Sequence, residues 1–241
     1  MHTKPIKPLG KKAYGSTPHL LGSRLGPADH SITESQTELF TGIRKRHGDR
    51  FIVTEKIDGS CVSIAKHDNE ILSLSRSGYL ASDSPYEVHK AFNRWTLQRK
   101  SRFSDLLLNG ERLVGEWLYT AMGTKYIIDD PEKLLIGFSI INNKGRIPFD
   151  EFKSRMTDAE LIQAHVISDG PAISPEEAMK YLGSNGFHGA LDGTEGAVWV
   201  HESKGKFQSI AKFVKHDKID GKYIPSISGK EEVTNYIGPE F

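Results

Sequence analysis

The chain has 241 residues, 37% of them hydrophobic, which is enough for one sizeable core. Its 32 basic and 31 acidic residues leave a net charge of +1, which excludes a protein that coats nucleic acid through a uniformly basic surface. A lone cysteine, Cys61, excludes an internal disulfide, and the ten histidines fall in no zinc-binding spacing.

Residues 1–30 are rich in Gly, Pro and Lys, with no apolar run of signal-peptide or membrane-span length. They predict an ordered loop in which residues 14–24 line a site or pack across a sheet edge. Ser16, His19, Ser23 and Arg24 offer phosphate-gripping groups there. Residues 33–46 read as a helix closed by Arg44-Lys45-Arg46-His47, either a phosphate contact or a solvated helix face. Strands follow at 51–55, 61–67 and 70–76, with Asp68-Asn69 as a hairpin turn, giving a β-meander around Lys56.

Val88, Ala91, Phe92, Trp95 and Leu97 approximate helical spacing over 86–100, with Ser84-Pro85 as cap and first-turn proline. Arg99-Lys100-Ser101-Arg102 is a second candidate phosphate contact. Strands are expected at 112–119 and 134–141, and a second helical zone from Phe149. Ser174-Pro175-Glu176-Glu177 is a capping box for a helix ending near Gly183 or Gly186. Strands return at 195–200 and 207–214. No repeat or long linker divides the chain, so one domain spanning 1–241 is expected, of α+β class with antiparallel sheets and flanking helices, in a cytoplasmic protein.

Lys56 lies between a hydrophobic strand and Asp58-Gly59-Ser60. It is either the solvated neighbour of a hairpin turn or a nucleophilic amine activated by desolvation and nearby cations. Later charges favour the second reading. Glu116 interrupts the apolar run 113–118, Glu195 opens a strand, and Lys212 interrupts 210–214 with Lys215 three residues on. Buried charges cost several kcal/mol unless paired or bound to a ligand, so they ask for a shared polar site.

Lys56-Ile57-Asp58-Gly59, Ser75-Arg76-Ser77-Gly78, Gly115-Glu116-Trp117, Phe138, Glu195-Gly196 and Lys212, in this order, resemble motifs I, Ia, III, IIIa, IV and V of the covalent nucleotidyltransferases. These are the ATP-dependent RNA and DNA ligases and mRNA capping enzymes, and the pattern is most similar to the phage-type RNA ligases. The resemblance implies an ATP-grasp-like, DNA ligase-type nucleotidyltransferase (adenylation) domain. Lys56 would attack the ATP α-phosphorus to give lysyl-AMP, with Lys212 and Lys215 neutralising phosphate charge. Glu55, Ile57, Arg76, Glu116, Phe138, Glu195 and Lys212 would line the nucleotide, Phe138 stacking on adenine and Arg76 on ribose or phosphate. Alone, Phe138 reads as well as core and Arg76 as a surface strand residue; Trp117 and Trp199 read as packing or rim aromatics. Glu195 and Glu116 would hold magnesium or manganese. The partner would be a nucleic acid, RNA with 5′-phosphate and 3′-hydroxyl ends; a minimal DNA nick-joining ligase and a non-catalytic nucleotide- or RNA-binding module are the alternatives.

Two features depart from the family. Motif V often reads K-x-K, whereas Lys212 and Lys215 are three apart and cannot share a face of a straight strand. Only 29 residues follow Lys212, too few for the OB-fold domain of DNA ligases and capping enzymes. Substrate grip is then expected from the core, the N-terminal loop, Lys222 and Lys230, or a partner protein.

Overall fold

A computed structural model describes residues 6–239 and 241, so the first five residues of the expected N-terminal loop lie outside the described residues. Helix α1 (Glu34–Phe40) opens on a reciprocal cap, in which Thr33 accepts the Gln36 amide and Gln36 accepts the Thr33 amide. It stops short of the expected residue 46, because Thr41 turns its hydroxyl back onto the Thr37 carbonyl and competes with the next helical turn. Strand β1 (Asp49–Lys56) then leads to β2 (Ser60–His67) and β3 (Glu70–Ser75), which form a hairpin. Asp68 and Asn69 sit at φ 50° and 62°, the two left-handed positions that a two-residue turn of matching twist requires.

The expected 86–100 helix is two helices, α2 (Glu87–Gln98) and α3 (Lys100–Leu106). Arg99 breaks the run at φ −117°, with its guanidinium 4.5 Å from the Trp95 ring centre. Ser84-Pro85 precede α2 without capping it, since the Ser84 hydroxyl is occupied by the Tyr86 amide and the His89 ring. Strands β4 (Arg112–Trp117), β5 (Leu135–Asn142) and the short β6 (Gly145–Arg146) follow, then α4 (Phe149–Asp158). Strand β7 (Val166–Gly170), helix α5 (Pro175–Leu182) with its Ser174–Glu177 capping box, β8 (Gly196–Ser203), β9 (Lys206–Val214) and α6 (Pro225–Ser228) complete the order.

The strands make two antiparallel sheets, β7-β1-β8-β9 and β3-β2-β4-β5-β6. The expected meander is therefore only the β2–β3 hairpin, and β1 belongs to the other sheet. Asp58-Gly59 is a crossover between sheets, not a hairpin turn. Gly59 permits it: a Cβ there would lie 2.9 Å from the Trp117 carbonyl oxygen, against which the chain passes. Residues 18–24 add to the open edge of the first sheet, with Leu20 N–H donating to Lys212 O at 2.8 Å and Arg24 N–H to Val214 O at 3.0 Å. At the other edge Arg50 bridges Asp169 (2.6 Å) and Asp150 (2.8 Å), tying β1 to β7 and α4.

Each sheet buries one face under helices. Phe51, Val53 and Trp199 pack with Phe40 and Leu182, and Trp199 Nε1 donates to Ile173 O. In the second sheet Trp117 packs against Phe92 and Trp95, each at 5.4 Å between ring centres, and Trp117 Nε1 donates to Val88 O. Both tryptophans are thus packing residues. The two remaining faces enclose a cleft. Among the described residues no helix is long and apolar enough to cross a membrane.

Candidate active site

Lys56 ends β1 opposite Gly196, the first residue of β8. Gly196 lies so close to β9 that a Cβ would sit 1.9 Å from the Phe213 carbonyl oxygen, so only glycine lets the chain enter there. This entry places Glu195 beside Lys56, with Nζ 2.7 Å from Oε2. Alternation along β1 turns Lys56 and Thr54 to the cleft, and the register brings Val198 and Lys212 to the same face. Cys61 and Glu116, paired across β2 and β4, form the opposite wall with Arg76 and Phe138.

Phe138 reaches the cleft through a β-bulge. Ser139 pairs with Val114 and Gly137 with Gly115, so Phe138 is the extra residue and both it and Ser139 line the cleft. Its ring meets Tyr14 edge-on at 5.3 Å, and Tyr14 OH accepts from Arg146 Nη2 at 3.2 Å. Arg76 Nη2 donates to Gly15 O at 3.2 Å. Ile57 is buried under the crossover.

The charges around Lys56 are mainly acidic. Burial disfavours its ammonium, yet Glu195, Glu116 and Asp58 hold its pKa well above the ordinary lysine value. The expectation of a cation-depressed amine is therefore corrected: the group at bonding distance is a carboxylate. Burial pushes Glu116 up to about 8, against the pull of Lys56 and with help from Glu195 and Asp58. Glu195 is pushed the same way by burial, with the Lys56 contact opposing it. Burial and Glu116 also drive the Cys61 thiol upward.

Two half-buried carboxylates facing one ammonium suit a hard cation. Among the described residues no group of three or more His, Cys, Asp or Glu side chains could cage a metal. Glu116 and Glu195 could supply two ligands to a magnesium-like ion, whose other oxygens would come from phosphate or water.

The remaining expected site residues separate. Glu55 shares the strand with Lys56 but points to the opposite face, where its carboxylate accepts the Phe187 N–H at 2.8 Å. Lys215 lies past the end of β9, with its N–H on Glu195 O at 3.0 Å and its ammonium 3.4 Å from Asp217. Lys218, which no motif marked, is buried nearby; its ammonium donates to Thr124 Oγ1 and to Gly193 O, and its charge lowers the Glu195 pKa. Only the lysine spacing 212, 215, 218 could have pointed to it.

The expected phosphate-gripping runs are mostly engaged elsewhere. Arg99 and Arg102 both pair with Glu132 at 2.5 Å, and Lys100 pairs with Glu70 at 2.6 Å. Arg44 donates to Ser35 Oγ, Arg24 pairs with Asp220, and Lys222 pairs with Asp192. His19 is buried and bonded to Ser23 at 2.7 Å.

Residues 49–214 match the RNA ligase family. The chain belongs to the RNA ligase family. An uncharacterized protein of Methanocaldococcus jannaschii is 32% identical over 108 residues, covering 45% of this chain and 26% of that protein. A Naegleria gruberi RNA ligase with pyrophosphate superposes with a TM-score of 0.55 at 16% identity, over 90% of this chain and 58% of that one. A mutant of the same ligase with ATP and manganese gives 0.52 at 19% identity, over 89% and 62%. These likenesses carry the fold, and this RNA ligase-family chain spans about three fifths of the Naegleria chains and about a quarter of the archaeal protein. The N-terminal loop and α1 precede the family-matched residues.

The loop after α5 supports β1 through the His188 imidazole, which holds the backbone of His165. Glu55 N–H donates to His165 O, and His165 N–H donates to His188 Nε2 at 3.2 Å, which requires that nitrogen to be unprotonated. Burial, with His165 adding, holds the His188 pKa down to about 4. The unfolded chain takes up this proton from about pH 6.5 downward. The stabilisation is therefore complete above pH 6.5 and is lost as the pH falls toward 4, by about 3 kcal/mol in all. Urea unfolding at pH 7.5 and 4.5 is expected to give a shallower loss for His188→Gln; equal losses would count against the assignment.

Proposed function

We propose that the chain is an ATP-dependent RNA ligase acting through a lysyl-AMP intermediate. The observation that carries this reading is Lys56, set at the end of a cleft strand with Glu195 at 2.7 Å, Glu116 on the facing wall and Lys212 on the same wall. Membership of the RNA ligase family and the fold shared with a ligase seen with ATP and manganese support it.

In the first step the Lys56 amine attacks the ATP α-phosphorus, a nitrogen–phosphorus bond forms, and the bond to the pyrophosphate oxygen breaks. Lys56 must first lose a proton that its acidic neighbours hold in place, and Glu195 at hydrogen-bond distance is the group placed to receive it. Magnesium or manganese held by Glu116 and Glu195 would neutralise phosphate charge and relieve their hold on the ammonium. Lys212 would stabilise the charge that builds on the α-phosphate oxygens. Phe138, aimed by its bulge, would stack on adenine, Arg76 would hold ribose or phosphate, and the Glu55 and Ile57 backbone would border the nucleotide. AMP then passes to an RNA 5′-phosphate, and a 3′-hydroxyl displaces it to close the phosphodiester.

Incubation with α-labelled ATP and magnesium tests this. The expected result is label on the protein that passes to a 5′-phosphorylated RNA and is released as the strand is sealed. No covalent label would overturn the reading, and sealing confined to all-DNA nicks would overturn its RNA part.

A further inference from the structure

The N-terminal segment outside the family-matched residues builds part of the cleft wall. Residues 13–32 run between the two sheets. At one end the Ala13 and Tyr14 N–H groups donate to Arg76 O at 3.1 and 3.2 Å, and Arg112 Nε donates to Ala13 O at 2.6 Å. At the other, Lys212 N–H donates to Pro18 O at 2.9 Å and Leu20 N–H to Lys212 O at 2.8 Å, which sets His19 alongside Lys212 as a parallel bridge. The segment therefore takes up both backbone groups of Lys212.

The same segment supplies a partner for the Lys212 side chain. Asp29 Oδ1 lies 3.6 Å from Lys212 Nζ. The Asp29 carboxylate is itself fixed, because Oδ2 accepts the Gly26 N–H at 3.0 Å and faces His19 Nε2 at 3.1 Å. His19 is 1% exposed, its Nδ1 meets Ser23 Oγ at 2.7 Å, and Ser23 Oγ accepts the Val214 N–H at 2.9 Å, so the imidazole facing Asp29 is tied back to β9. Two ammonium groups, Lys56 and Lys212, share the cleft face and repel one another. Asp29, with Glu195, offsets that repulsion at Lys212. A lysine ammonium on its flexible four-carbon stem would otherwise sample several rotamers.

We propose that Asp29 is a positioning residue for Lys212, fixing its ammonium at the cleft wall for use on the nucleotide's α-phosphate. The proposal rests on the reading of Lys212 as the phosphate-facing lysine. It makes the N-terminal segment a working part of nucleotide chemistry, in place of the RNA grip expected of His19, Ser23 and Arg24.

A double-mutant cycle tests it through single-turnover protein–AMP formation at varied ATP. Asp29→Asn keeps an oxygen for the Gly26 amide and removes the charge. It is expected to lower the maximal rate roughly ten-fold with the half-saturating ATP concentration nearly unchanged. In a Lys212→Ala background the same substitution is expected to cost nothing further. Asp29→Glu, which returns a carboxylate, is expected to recover part of the rate. Additive losses, an unchanged Asp29→Asn rate, tighter ATP use, or no advantage of Asp29→Glu over Asp29→Asn would each overturn the proposal. Wild-type protein that takes no label would overturn the ligase reading instead, so the two failures are distinguishable.

Discussion

Lys56→Ala is expected to abolish the protein–AMP label, a loss of at least about 10⁴-fold, because a covalent step has no route without its nucleophile. No neighbouring amine can replace it. Lys212 is on another strand and faces Asp29, Lys218 is bonded to Thr124 and Gly193, and Lys215 follows β9 with its ammonium on Asp217. The alanine variant also leaves Glu195 and Glu116 without their ammonium, and an unpaired half-buried carboxylate destabilises the fold. Lost label could then reflect lost fold. Lys56→Arg separates the two effects, since a guanidinium keeps a cation for Glu195 but cannot act as the nucleophile at neutral pH. The arginine variant is expected to melt close to the wild type and to take no label. Label persisting on either variant would place the nucleophile elsewhere.

Much of this arrangement was legible in the sequence because the strands obey simple alternation. The apolar runs around 51–55, 61–67 and 207–214 each became a strand. Alternation also flagged that Lys212 and Lys215 could not face the same way. What was not legible depended on pairing between distant segments. Strand β7 is a short edge strand ending in Asp169 and Gly170, without the β-branched run that signals a buried strand. Local pattern joined β1 to β2 as neighbours, whereas Gly59 carries the chain past β4 into a second sheet.

The site shows the same division. Residue types at motif spacing named Lys56, Glu116 and Glu195 but not the sign of the field between them. A cation-lowered lysine was expected, and three carboxylates surround it. Glu55, adjacent to Lys56 in sequence, is carried by the pleat to the other face and bonds Phe187. Phe138 points inward because of a bulge that arises from the register between β4 and β5, which neither strand's own sequence reveals. Asp29 and Lys218 were invisible for a further reason: each acts beside a motif lysine or glutamate brought close only by the fold.

The second large effect is expected at motif V, where two lysines three residues apart should behave differently. Lys212 stands on the inner face of β9, opposite Val198 and in the cleft lining, so its charge can act on a phosphate bound near Lys56. Lys215 follows the last residue of the strand; its backbone N–H holds Glu195 O, and its ammonium turns to Asp217. Removing a group that stabilises developing charge in a water-poor site typically costs about 10²–10³ in rate. Lys212→Ala is therefore expected to slow single-turnover lysine adenylylation by about that factor. Lys215→Ala keeps its backbone bond to Glu195 and loses only a surface ion pair worth at most about 1 kcal/mol, so its rate is expected to stay within about five-fold of the wild type. Equal losses at the two positions would mean that Lys215 swings into the cleft when nucleotide binds, and that motif V works as a pair despite its spacing. A large loss at Lys215 alone would remove Lys212 from the phosphate and, with it, the role assigned to Asp29.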